Sequence, residues 1–264
     1  MTPDTADRPV LDTDGFARFT RTDILPGRTP AQVRARLAPL SRYYETLPLD
    51  PNAPHTNRYR RYARGVLLPW TRSVTWVPGT PDPEYGAITE FAQGGHNPEY
   101  PSARRRLPYI EAGILGDPLL RDLILFDLDA ITWPQSILQN PVQVGVHFVK
   151  LRVDHAGEQA FSSPNCLHQD GGQLSMYFVH LLARANVAGG ANVIAAPECA
   201  GQQEPDLSDH VIKARFTLDR PLDSYGVRDF QVSHYVSPIR VADPTHGGYR
   251  NTLLIGFIPY ADPI

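Results

Sequence analysis

The sequence has 264 residues, 42% hydrophobic and 20% charged, with a formal net charge of -3. That is enough chain for a real hydrophobic core and too apolar a composition for a disordered segment. The charge balance lacks the basic excess of a nucleic-acid-binding surface, and no apolar run approaches membrane-spanning length.

Two cysteines, Cys166 and Cys199, make neither a CxxC pair nor a disulfide framework. They fit reduced thiols in a cytoplasmic setting. Residues 1–8 are polar and carry no apolar stretch of the kind a secretory signal needs, so no signal is expected. The 26 prolines sit between short apolar runs and predict many turns and few long helices.

In chain order, residues 1–28 read as a polar leader with one apolar patch at Ile24-Leu25. A helix is predicted from Pro30 to about Thr46, with Thr29 as N-cap, Pro30 at the first helical position, and Val33, Leu37 and Leu40 as its apolar stripe. Residues 47–108 read as irregular, with a basic, aromatic run over residues 57–64. A second helix is predicted over Pro118–Ile131, capped by Asp117. Residues 29–135 are thus expected to form a helical and irregular support.

Strand-like alternation then takes over, first in Gln143–Val153 and next in Leu174–Leu182, Asn192–Ala196, His210–Leu218, Phe230–Val236 and Thr252–Ile258. Glycine turns separate these runs, as at Ala188-Gly189-Gly190. Helices followed by antiparallel strands predict an α+β, mainly β, chain in which a helical layer packs on a sandwich or jelly roll. One domain is expected over 1–264, with its core strands in 140–260.

The segment Leu167-His168-Gln169-Asp170-Gly171 carries the chemistry. Two positions apart on a strand, His168 and Asp170 would share a face and could reach one ion. A third ligand is needed, and His234, within another strand-like run, is the best candidate. Two His and one carboxylate form the facial triad of non-haem iron(II) oxygenases, with the remaining positions open to co-substrate and oxygen. Zinc accepts the same ligand types, though commonly in a more closed site. Taken singly, His168 also reads as a turn residue, Asp170-Gly171-Gly172 as a hairpin turn and His234 as a core histidine; their joint context shifts the weight. Arg250, just ahead of the last apolar strand, is placed to clamp the far carboxylate of a 2-oxo acid through its planar fork.

Four pieces in order resemble one family, the bacterial 2-oxoglutarate/Fe(II) dioxygenases typified by L-isoleucine dioxygenase, which hydroxylate free amino acids. They are the His168-Gln169-Asp170-Gly171 ligand motif, the strand ending Asn186-Val187-Ala188-Gly189-Gly190, the stretch from Asp229 through His234 to Pro238, and Tyr249-Arg250-Asn251-Thr252-Leu253. Pro164-Asn165-Cys166 and Asn251 depart from that pattern. The resemblance spans about residues 140–260. It implies a double-stranded β-helix, a variant of the jelly roll. It also implies Fe(II), 2-oxoglutarate and O2 as requirements, and oxidation of a C–H bond with release of succinate and CO2.

Other residues carry weaker expectations. Lys150 and Arg152 share one strand face and could meet a substrate carboxylate inside the barrel. Within Arg58, Arg60, Arg61 and Arg64, most should be solvated and one could bind an acidic group. His147 and His180 read as core or supporting residues, and His55, His96, His155, His210 and His246 as surface. Trp70, Trp76, Trp133 and Tyr235 read as packing residues. The expected partner is a small molecule, with no nucleic acid and no membrane; the oligomeric state is not legible. The competing reading is a cupin-like metal-binding jelly roll, which would have no need of Arg250.

Overall fold

The strand predicted over residues 143–153 lies inside the largest sheet of the molecule. The computed structural model describes residues 11–92, 99, 104–172 and 174–260. In chain order its strands are β1 (Phe16–Phe19), β2 (Arg58–Leu68), β3 (Ser73–Trp76), β4 (Thr80–Asp82), β5 (Gly86–Phe91), β6 (Arg105–Pro108), β7 (Val142–Val153) and β8 (Met176–Ala185). They continue with β9 (Val187–Gly189), β10 (Ala191–Ala195), β11 (Ile212–Thr217), β12 (Ser224–Arg228), β13 (Ser233–Val236), β14 (Ile239–Val241) and β15 (Gly248–Pro259).

Seven strands form a mainly antiparallel layer in the order β1-β12-β8-β15-β7-β2-β3, and β11-β10-β13 form a smaller sheet. The last strand, β15, lies between β7 and β8 and pairs with both. Alternation then sorts the side chains. Phe148 of β7, Phe178 of β8 and Leu253 and Ile255 of β15 share a buried cluster with Leu37, Leu40, Leu120 and Leu123 of two helices. Val149, Val179 and Leu254 instead line a cavity between the two sheets.

The helices form where their caps predict. In α1 (Pro30–Tyr43) the Thr29 side chain accepts from Gln32 N, and Gln32 returns the bond to Thr29 N. In α2 (Pro118–Ala130) one Asp117 carboxylate oxygen accepts from Leu119 N and Leu120 N. Tyr43, at the end of α1, meets Phe148 edge-on with ring centroids 5.1 Å apart.

Three expectations are corrected. Over residues 11–28 the leader belongs to the folded body, because β1 pairs with β12 as an edge of the large sheet. The stretch 47–108 is not merely irregular: β2 runs for 11 residues and pairs with β7 from Arg58 to Leu67. Trp70 is not a packing residue but 55% exposed at the β2–β3 turn, whereas Trp133 is buried. His96 lies outside the described residues. Cys166 and Cys199 are buried free thiols, and no helix among the described residues is long and apolar enough to cross a membrane.

His180 is a core residue, as expected. The Ser224 hydroxyl gives its hydrogen to Leu222 O, which leaves Oγ to accept from His180 Nδ1 at 2.8 Å. His180 Nε2 and Asp127 Oδ2 lie 3.0 Å apart with both side chains fully buried. Burial pushes the Asp127 carboxyl up to about 6, against the pull of His180. Replacing His180 by Ala leaves this carboxyl without its partner, and such losses cost about 3–5 kcal/mol. Urea denaturation should show a loss of that order for His180→Ala. Asp129→Ala, which breaks the exposed pair with Arg72, should leave the midpoint nearly unchanged.

Candidate active site

His168 and His234 are joined by their backbones. His168 N donates to His234 O at 3.0 Å, and His234 N donates to His168 O at 2.9 Å. A pair that exchanges both bonds sets its side chains on the same side of the sheet, and the two imidazole centroids lie 4.4 Å apart. The expected strand over His168 and Asp170 is not formed; one isolated bridge to β13 and the chain that follows it achieve the convergence. Asp170 completes the group: ligand atoms of His168, Asp170 and His234 all lie within 4.8 Å of one another.

Hydrogen bonds aim the rings. His168 Nδ1 lies 2.8 Å from Cys166 O. A carbonyl only accepts, so Nδ1 carries the hydrogen and Nε2 keeps its lone pair on the Asp170 side. Burial, reinforced by His234, pushes this imidazole down to about 4, so it stays neutral as metal ligation requires. His234 Nε2 lies 3.1 Å from Asp170 Oδ2, and its Nδ1 faces Asp229 Oδ1 at 3.6 Å. Burial pushes the Asp170 carboxyl up, but the His234 hydrogen bond and the neighbouring imidazoles outweigh it and hold it below the usual range. Burial and the Asp170 charge push fully buried Asp229 up to about 8. Asp229 also accepts from Asp170 N at 2.7 Å, so it touches both halves of the group.

The cavity beside this group runs to Arg250. Arg250 is 3% exposed, and its Nε and Nη2 are buried with no hydrogen-bond partner among the described residues. Burial pulls its ionisation down to about 10, which still leaves it charged at neutral pH. Gly190, at φ +72°, lies against this side chain: a Cβ there would come within 3.2 Å of Arg250 Cδ. A buried guanidinium with unused donors, facing a cavity, suits a carboxylate.

Lys150 and Arg152 are not in the cavity. Val149 and Leu151 line it, so strand alternation turns Lys150 and Arg152 to the opposite face of β7. Arg152 is exposed and bonded to Asp154 at 2.8 Å, while the Lys150 ammonium lies near the Tyr249 ring. Instead Arg58 and Arg60 of β2, with Arg105 of β6, line the cavity. His147 also lines it, stacked on Tyr62 with centroids 4.2 Å apart. Tyr235 is buried away from it, as expected, and His55, His155, His210 and His246 are at the surface.

Two imidazoles and a carboxylate converge in a sheet-lined cavity that ends at a buried arginine. Such an arrangement defines a mononuclear metal enzyme with room for a carboxylate co-substrate. The chain belongs to the 2OG-Fe dioxygenase family, whose model matches residues 41–256. The match extends well upstream of the stretch that carries the motifs. This family uses Fe(II), 2-oxoglutarate and O2.

Among solved structures, IDO from Bacillus thuringiensis is 20% identical with a TM-score of 0.70, covering 95% of this chain and 96% of that one. The Fe(II)/α-ketoglutarate-dependent dioxygenase TqaL is 16% identical with a TM-score of 0.69, covering 95% and 84%. A bsmA homolog from Methylobium petroleophilum PM1 is 18% identical with a TM-score of 0.63, covering 96% and 93%. At these identities the likeness concerns the fold. No curated protein matches the sequence significantly.

The placement of β7 side chains gives a direct test. Lys150→Ala and Arg152→Ala should each change the Michaelis constants for 2-oxoglutarate and for the primary substrate by less than about twofold, since both charges lie outside the cavity. A tenfold rise for either in steady-state kinetics would return these residues to the site.

Proposed function

We propose that this chain oxidises a C–H bond of a free amino acid or an amino-acid-like small metabolite, with release of succinate and CO2. In this reading the strands form a double-stranded β-helix of the jelly-roll type, and residues 1–264 make one domain with packing helices from the N-terminal half. His168 Nε2, Asp170 and His234 Nε2 hold the iron, and Arg250 takes the far carboxylate of 2-oxoglutarate.

The observation that carries the reading is the pairing of the convergent triad with a buried, unpartnered guanidinium in one cavity. The donor set fits iron(II): two neutral-competent imidazoles and one carboxylate supply three ligands and leave the other positions free. Bound there with 2-oxoglutarate and O2, the iron supplies the oxidant for the C–H bond. The residues bind, orient and exclude water. Cys166 O fixes the His168 tautomer, Asp229 steadies His234, and Arg250 sets the reach of the co-substrate from the metal. Val149, Val179 and Leu254 keep the walls apolar. A cupin-like binding protein would leave Arg250 buried without purpose, and family membership also weighs against it.

Loss of any ligand should empty the site. His168→Ala, Asp170→Ala and His234→Ala are each expected to purify with sharply reduced iron and no turnover. Full iron content and activity in His234→Ala would remove it from the ligand set. For Arg250, anaerobic titration with Fe(II) and 2-oxoglutarate should develop a weak visible charge-transfer band. Arg250→Ala should need roughly ten- to a hundredfold more 2-oxoglutarate to reach it, since a charge-assisted pair contributes about 1.5–3 kcal/mol. Arg250→Lys should recover only part, because an ammonium cannot form the paired fork. An unchanged titration in Arg250→Ala would assign the clamp to another residue.

A further inference from the structure

The cavity holds a second concentration of buried charge that neither the triad nor Arg250 accounts for. Arg58, Arg60 and Arg105 are all nearly inaccessible, and all three line the same wall as Phe91 and His147. Asp50 serves Arg58 closely, accepting from Nε at 2.9 Å and Nη2 at 2.7 Å. It serves Arg60 poorly, at 3.5 Å from Nη1. Arg60 Nη2 donates to His147 Nδ1 at 2.7 Å, and Arg60 Nε is buried with no acceptor among the described residues. The Arg105 guanidinium stacks over Phe91 at 4.8 Å and Arg60 over the same ring at 5.7 Å.

For Arg60 this is costly as structure alone, because Asp50 is committed to Arg58 and a buried donor without an acceptor loses its hydration. Burial pulls Arg60 down to about 9, which shows the strain on its charged form. The cost is recovered when an anion enters the cavity.

Register separates this anion site from the first. Arg58 pairs with Leu151, and Leu151 pairs with Arg250; two strand spacings, about 9–10 Å, therefore lie between the backbones of the two arginines. Arg60 is one inward-facing position further along β2, opposite Val149. The next inward position on β7 is His147, which shares the cavity with Asp170. An anion on Arg60 thus points the rest of its molecule past His147 toward the triad.

We propose that Arg60, flanked by Arg58 and Arg105, binds the carboxylate of the primary substrate, so that the enzyme accepts free acids and rejects those masked as amide, ester or carrier thioester. This rests on the reading of the chain as an oxygenase of amino-acid-like small molecules. His147 is a positioning residue for it. Arg60 has only donors to offer, so His147 accepts at Nδ1, and its ring is fixed between Tyr62 and Phe91.

The test uses the iron-loaded full chain, with succinate release followed for each proteinogenic L-amino acid and for its α-carboxamide. At least one free acid should stimulate turnover, and its carboxamide should do so at least tenfold less well. Arg60→Gln should raise the Michaelis constant for that acid roughly ten- to a hundredfold while that for 2-oxoglutarate stays within about twofold. Arg60→Lys should fall between. His147→Ala should shift the same constant in the same direction, a change that a merely structural loss would not confine to one substrate. Equal stimulation by acid and carboxamide overturns the inference in the wild-type protein, whatever the variants' folding, and leaves the proposed function standing. A rise for 2-oxoglutarate instead of the acid in Arg60→Gln overturns it as well. Stimulation by no free acid at all removes the small-molecule reading and this inference with it.

Discussion

Two backbone hydrogen bonds between His168 and His234 are the constraint on which the rest of the site depends. The residues are far apart in sequence, yet each donates its N–H to the other's carbonyl. That exchange fixes their separation and points both rings the same way, before any side-chain interaction is counted. Asp170 then needs only to turn back over the pair. Asp229 secures this turn by accepting from Asp170 N while facing His234 Nδ1. Gln169 adds a second tether, donating to Asp229 O and Val232 O. The ligand group is therefore assembled by main-chain geometry, and the side chains inherit their aim from it.

Charge is distributed around that group with the same economy. The carboxylates gather beside the imidazoles, while the guanidinium groups of Arg58, Arg60 and Arg250 line the wall formed by β2, β7 and β15. A cavity with cations on one wall and a cation-binding group on the other favours ligands that are anionic and chelating. Desolvation sharpens the preference, because Arg60 and Arg250 are buried and each keeps donors without an acceptor among the described residues. Arg60 and Arg250 keep buried donors free where a ligand will take them, and any such ligand stabilises the folded chain by mass action.

Much of this was legible in the sequence, and the misses have physical reasons. Thr29 and Asp117 announced their helices because capping is local chemistry. The long strands of the C-terminal half announced themselves by alternation. β2 did not, because its inward positions are Arg58 and Arg60, so a strand facing a polar cavity reads as a solvated basic loop. That Lys150 and Arg152 face away from the cavity is illegible for a related reason. Both faces of β7 are buried through most of its length, one under the helices and one in the cavity, so period two fixes which residues share a face but not which face is the cavity. Asp229 opens the stretch that ends at Pro238, but its hold on both Asp170 and His234 appears only once β13 and the chain around Asp170 are brought together.

The position of β15 has a consequence for synthesis. The large sheet places β8 and β7 on either side of it, so the native pairing of each with β15 cannot form in its absence. While a ribosome is still making residues 186–247, the nascent chain already carries both strands, with apolar faces and unsatisfied edges, and no partner to bridge them. Closure waits for residues 248–259, which supply twelve positions of pairing to β7 at once. Folding of the catalytic layer is therefore non-local and late. The interval before it is when the exposed edges of β7 and β8 invite pairing with other chains, and slow elongation through residues 186–247 prolongs that interval.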